Sequence, residues 1–79
     1  ERMLDDLQDL LEYIDVHYAE NISLEDAAGR MNFSASHFSK TFKKLMGINY
    51  VTYLNLVRVE QAAYLLRHTE KKFTDIYEL

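Results

Sequence analysis

Apolar residues recur at helical spacing through most of the chain. Leu7, Leu10, Leu11, Ile14 and Tyr18 fall on one stripe, and Asp5, Asp6, Asp9, Glu12 and Asp15 fill the positions between them. This pattern predicts an amphipathic helix from Met3 to about Tyr18 with an acidic outer face. Its early acids suit the positive end of the helix dipole. Residues 19–22 form a short connector. Ser23 then reads as an N-cap with Asp26 three residues on, a capping-box spacing that starts a short helix from Leu24 to about Arg30. Asn32 tolerates left-handed backbone, so a tight turn is expected over Met31, Asn32 and Phe33. Ser34 is a second N-cap. The helix it opens, Ala35 to about Met46, turns Phe38, Phe42 and Leu45 inward. Gly47 stops it, with Lys43 and Lys44 in the last turn.

Asn49 caps a further helix that runs to about His68. This helix is apolar nearly all round: Tyr50, Val51, Tyr53, Leu54, Leu56, Val57, Val59, Ala62, Ala63, Tyr64, Leu65 and Leu66 leave no polar face. A helix apolar on every side expects cover on every side, and the preceding helices supply only part of it. Thr69 to Lys72 is a polar connector, and Phe73 to Leu79 begins one more helical segment. Residues 73–77 echo residues 22–28, which suggests the opening of a second copy of the same unit. The expected fold is therefore all-α: a small helical bundle filling residues 1–79 as one partial domain.

Composition narrows the function classes. The 79 residues are 48% apolar and 28% charged, a folding composition rather than a disordered one. With no cysteine, disulfides, zinc–thiolate sites and cysteine nucleophiles are excluded. No apolar run approaches the roughly 18 residues of a membrane span, and no basic-then-apolar leader opens the sequence, so a cytoplasmic protein is expected. The net charge of −4 conceals an asymmetry. Residues 1–33 carry −7, residues 34–58 carry +4 with no acid at all, and residues 59–79 carry −1. Binding depends on the face presented, so the acid-free stretch with Lys40, Lys43, Lys44 and Arg58 is what matters for an anionic partner.

Residues 24–42 have helix-turn-helix spacing. Ala28 is a small residue where two helices cross, Asn32 is a permissive turn residue four positions later, and Phe38 anchors the second helix. Several motifs lie around this unit. They are Tyr13-Ile14-x-x-His17-Tyr18, Ile22-Ser23-Leu24-Glu25-Asp26-Ala27-Ala28, Ser34-x-Ser36-x-Phe38-Ser39-Lys40-x-Phe42-Lys43-Lys44-x-x-Gly47, and Tyr53-Leu54-x-x-x-Arg58-x-x-x-Ala62-x-x-Leu65-Leu66. Together they resemble the DNA-binding region of the AraC/XylS-type bacterial transcription regulators. The resemblance implies two helix-turn-helix units joined by a long helix, each placing a recognition helix in the major groove. The chain is similar to the first unit, the connecting helix and the start of the second, with Tyr77 where the family has a small residue. The second recognition helix and the family's sensing or dimerisation domain are not matched.

The resemblance implies sequence-specific binding to double-stranded DNA through the helix at about 35–46. Recognition helices read bases with exposed residues of their N-terminal half. Here those positions are Ser36, Ser39 and Lys40, with Ala35 and His37 at the margin. Serine reads several bases, and lysine reaches the guanine acceptors. Lys43, Lys44, Arg58 and Ser34 are expected at phosphates, which fix register and supply salt-dependent affinity. Structural alternatives stand beside these roles. Lys43 and Lys44 also complement a helix dipole, Ser34 also caps, and Arg58 also suits an ion pair with an acid such as Asp26.

The remaining residues read as structure. Tyr13, Phe33, Phe38, Phe42, Tyr50 and Tyr53 are expected in the core, with Met3, Met31 and Met46 as filler. His17, His37 and His68 have no metal-ligand spacing, and nothing suggests an activated nucleophile, so no metal, cofactor or catalysis is expected. The alternative function is a helical interaction module without DNA binding. Its surface would be the connecting helix around Leu56, Val59, Ala63 and Tyr64, which also predicts a homodimer. Any small-molecule effector would be bound by a domain outside this chain.

Overall fold

The computed structural model describes residues 2–68, which form four helices and, within that span, no strand. They are α1 (Arg2–His17), α2 (Leu24–Arg30), α3 (Ala35–Met46) and α4 (Tyr50–His68). The second-unit helix expected over Phe73 to Leu79 lies outside the described residues.

The helix starts are set by side chains that take up otherwise unpaired backbone N–H groups. The Ser23 hydroxyl accepts from the Asp26 amide at 3.0 Å, while the Asp26 carboxylate accepts from the Ser23 amide, completing the capping box. The Ser34 hydroxyl accepts from the His37 amide at 3.1 Å, and the Asn49 side-chain oxygen accepts from the Thr52 amide at 2.9 Å. The turn between α2 and α3 does place Asn32 in the left-handed region, at φ 59°. Gly47 ends α3 at φ 84°, with its amide donating to the Lys43 carbonyl at 2.8 Å.

One core joins all four helices. Leu7, Leu10 and Ile14 of α1 meet Ile22 of the connector, Ala27 and Ala28 of α2, and Met31 of the turn. Phe38 and Phe42 of α3 and Tyr50, Leu54 and Val57 of α4 close it. Ala27 and Ala28 are almost fully buried, and Phe33 donates its amide to the Ala28 carbonyl at 3.0 Å. The small side chains let α2 lie close to α3. The aromatic cluster then wedges α3 onto α4: Phe38 and Phe42 sit 5.5 and 5.7 Å from the Tyr50 ring, and Tyr53 packs 5.6 Å from Phe42.

Two inward residues of the sequence reading turn out exposed. Leu45 is on the core-side edge of α3, yet α4 leaves Gly47 on the Met46 side and Leu45 keeps 40% of its surface. Met3 lies in the first turn of α1, ahead of Leu7, where the core begins, and is likewise exposed. The long helix α4 behaves as its pattern predicts. Only Tyr50, Leu54 and Val57 are buried, and Val51, Leu56, Val59, Tyr64, Leu65 and Leu66 remain exposed.

Candidate nucleic-acid interface

The geometry of α3 follows from where its two large rings go. Phe38 and Phe42 are 1% exposed, which fixes the inward direction of the helix. At about 100° per residue, the opposite face is centred on Lys40. Ser36, Lys40 and Lys44 make one row along it, with Lys43 beside them, and all four are exposed. Ser39 and Ala35 sit on the shoulder between this face and the core and are half-buried. His37 lies on the other flank. It is exposed, and its ring stacks on Phe33 at 4.2 Å with the planes 25° apart. Ser34, also exposed, is committed to the helix cap.

This surface is electrostatically uncompensated. The described residues contain one close imidazole–carboxylate contact, His17 with Glu20 at 2.6 Å, and no ion pair that involves a lysine. No acid occurs between residues 34 and 58, so nothing on α3 itself offsets Lys40, Lys43 and Lys44. The acids of α1 occupy a separate helix, on its exposed side.

Arg58 stands apart from the lysines. It is half-buried and its guanidinium is occupied: Nε donates to the Tyr18 carbonyl at 2.7 Å and Nη2 to the Glu20 carbonyl at 2.9 Å. The ion pair with Asp26 is not formed among the described residues, and these two bonds aim part of the guanidinium at the end of α1. The physical reason is local. Helix α1 ends at His17, the carbonyls just beyond it lack helical partners, and a cation at that end is favoured. Tyr50 has a second role that its core assignment missed, because its hydroxyl donates to the Ile22 carbonyl at 2.9 Å. Burial pushes that hydroxyl up to about 12, with Arg58 opposing the shift and Asp26 adding to it. Tyr50, Leu54 and Arg58 follow at intervals of four on one face of α4, but the spacing does not show that the acceptors are main-chain carbonyls.

The three histidines occupy separate elements, each stacked on the aromatic residue four positions earlier. His17 lies on Tyr13 at 4.2 Å, His37 on Phe33, and His68 on Tyr64 at 4.1 Å. No described helix is long and apolar enough to cross a membrane.

The family described as a helix-turn-helix domain matches residues 27–79, two thirds of the chain. The chain belongs to the AraC-type helix-turn-helix family. The lactose operon transcription activator of Staphylococcus xylosus is 36% identical over 72 residues, which are 91% of this chain and 26% of that protein. An uncharacterized HTH-type transcriptional regulator of Staphylococcus aureus is 33% identical over 72 residues, again 91% of this chain but 10% of the relative. The chain thus spans about a quarter of the first of these curated relatives and a tenth of the second. No solved structure matches it. Family and relatives support DNA binding in a transcription regulator and do not favour an interaction module without DNA.

Proposed function

We propose that this AraC-type domain binds double-stranded DNA sequence-specifically, with α3 in the major groove. The observation that carries this reading is the outer face of α3. It is exposed, free of acids and lined by Ser36, Lys40, Lys43 and Lys44, on a helix held by buried rings on its other side. Lys40 and Ser36 address base edges, Ser39 and Ala35 contact them from the shoulder, and His37 does so from the flank. Lys43 and Lys44 neutralise phosphates, and the Ser34 end of α3 presents its N-terminus to another. Arg58 is outside this footprint. The acidic face of α1 points away from the duplex, in keeping with the repulsion that it would meet there.

In this reading residues 1–79 are one part of a larger DNA-binding region, with α4 as the connecting helix. The parent protein is a cytoplasmic bacterial regulator, and any effector is sensed by another of its domains. A second role, self-association, is favoured by the exposure of Leu56, Val59 and Tyr64 on α4. The test of DNA reading is a duplex titration followed by amide chemical shifts. The largest changes are expected at Ser36, Lys40 and Lys43, with Asp9 and Glu12 unmoved. Changes confined to α4 would contradict the proposal.

A further inference from the structure

The connector between α1 and α2 is held from one side by α4. Arg58 donates to the carbonyls of Tyr18 and Glu20, and Tyr50 donates to that of Ile22. The acceptors are the alternate residues 18, 20 and 22 of a segment that leaves α1 through a turn and a bend. The next residue is Ser23, the N-cap of α2. Tyr50 therefore works in two directions. Its hydroxyl holds the entry to α2, while its ring packs against Phe38 and Phe42 of α3.

We infer that Tyr50 and Arg58 are positioning residues for DNA reading, which clamp the helix-turn-helix at a fixed angle to α4. The inference rests on the proposed DNA function, and its physical basis is the kind of contact involved. Apolar packing tolerates sliding, because it is non-directional. Three hydrogen bonds to alternate carbonyls do not, because each has its own direction and two come from a charged donor. Without the clamp, α2 and α3 remain folded, and only the packing of Phe38 and Phe42 on the Tyr50 and Tyr53 rings sets their angle to α4, so that angle becomes less sharply defined. Base contacts need the recognition helix in one orientation, whereas phosphate contacts by flexible lysines do not. Loss of the clamp should therefore lower specificity and spare non-specific binding.

The test uses Tyr50→Phe combined with Arg58→Gln, and Arg58→Lys as the charge-conserving variant. Each is compared with the wild-type chain on a duplex selected by wild type from a random library, and on a scrambled duplex. Circular dichroism confirms helicity at the assay temperature. Because the chain has no cysteine, spin labels at Glu25→Cys on α2 and Glu60→Cys on α4 report the interhelical distance directly.

The double variant is expected to lose the preference for the selected duplex by about tenfold. Its affinity for the scrambled duplex and its salt slope should be unchanged, and its distance distribution broader. Arg58→Lys should recover part of the preference. A folded double variant with undiminished preference, or with an unbroadened distance distribution, overturns the inference. If wild type binds neither duplex, the DNA reading itself fails. The distance distribution then decides the clamp alone, with broadening in its favour and an unchanged distribution against it.

Discussion

The Tyr50 hydroxyl donates to the carbonyl of Ile22, 28 positions earlier, at 2.9 Å in a buried setting. The bond satisfies the hydroxyl of the one tyrosine among the buried core residues described. It also ties the start of α4 to the entry of α2. Tyr50→Phe keeps the ring and leaves the carbonyl without its partner, so the expected loss is about 1–2 kcal/mol. Chemical denaturation with an unchanged m-value checks this.

The same residue gives the domain an alkaline limit. Burial pushes the Tyr50 hydroxyl up to about 12 in the folded chain, against 10.0 for an unperturbed tyrosine. The folded state thus holds the phenolic proton more tightly than the unfolded state does. The associated stability is complete below about pH 10 and is lost as the pH rises from there through about 12. Tyr53 is shifted in the same direction by burial and by Asp15 and Glu60, and adds to the effect. Denaturation midpoints measured between pH 8 and 11.5 should fall for wild type and fall less steeply for Tyr50→Phe.

Gly47 is a conformational requirement rather than a spatial one. A Cβ at this position would meet nothing within 4 Å, but φ is +84°. Gly47→Ala is therefore expected to cost about 1–2 kcal/mol through backbone strain alone. Asn32→Gly, at φ 59°, should be tolerated within about 1 kcal/mol, because glycine accepts the same backbone. Thermal midpoints of the two variants separate these cases.

Phe38 is 1% exposed and touches the rings of Phe42 and Tyr50. Phe38→Ala opens a cavity where α2, α3 and α4 meet, at an expected cost of about 3–5 kcal/mol. A domain of this size has little stability beyond that, so the variant should lose most of its helical signal at 37 °C.

Most of the fold is legible in the sequence because it is written in local rules. Ser23, Ser34 and Asn49 mark helix starts by what their side chains accept, and Asn32 and Gly47 mark turns by the backbone they allow. The inward stripes of α1 and α3 follow from spacing. What spacing does not contain is the path of the next helix. Leu45 satisfies the stripe of α3, and it is exposed because α4 departs along the other edge. The lysine face of the candidate interface was readable for the same local reason, since nothing inward competes for those side chains. Arg58 was harder. Its acceptors are main-chain carbonyls some 40 residues away, and carbonyls carry no residue-type signal.

The exposed apolar residues of α4 give a prediction about assembly. Leu56 and Val59 are 50% and 63% exposed, and Tyr64, further along the helix, is 50% exposed. Sedimentation equilibrium should show concentration-dependent dimers of the chain, and Leu56→Lys with Val59→Lys should return it to monomer. A monomer at millimolar concentration would remove the homodimer from the account.

The lysine face of α3 is the surface proposed to meet DNA. The most direct measurement of this contact is fluorescence anisotropy with a mixed-sequence duplex at about 20 and 150 mM salt, levels across which phosphate binding changes steeply. Wild type is compared with Lys40→Glu/Lys43→Glu. With Lys43 and Lys44 neutralising phosphates and the N-terminus of α3 meeting a third, log affinity should fall against log salt with a slope of about −2 to −3, and the double variant should lose the affinity and much of the slope. Equal affinity and equal slope for the two proteins would contradict the claim, because the binding surface would then lie away from Lys40 and Lys43.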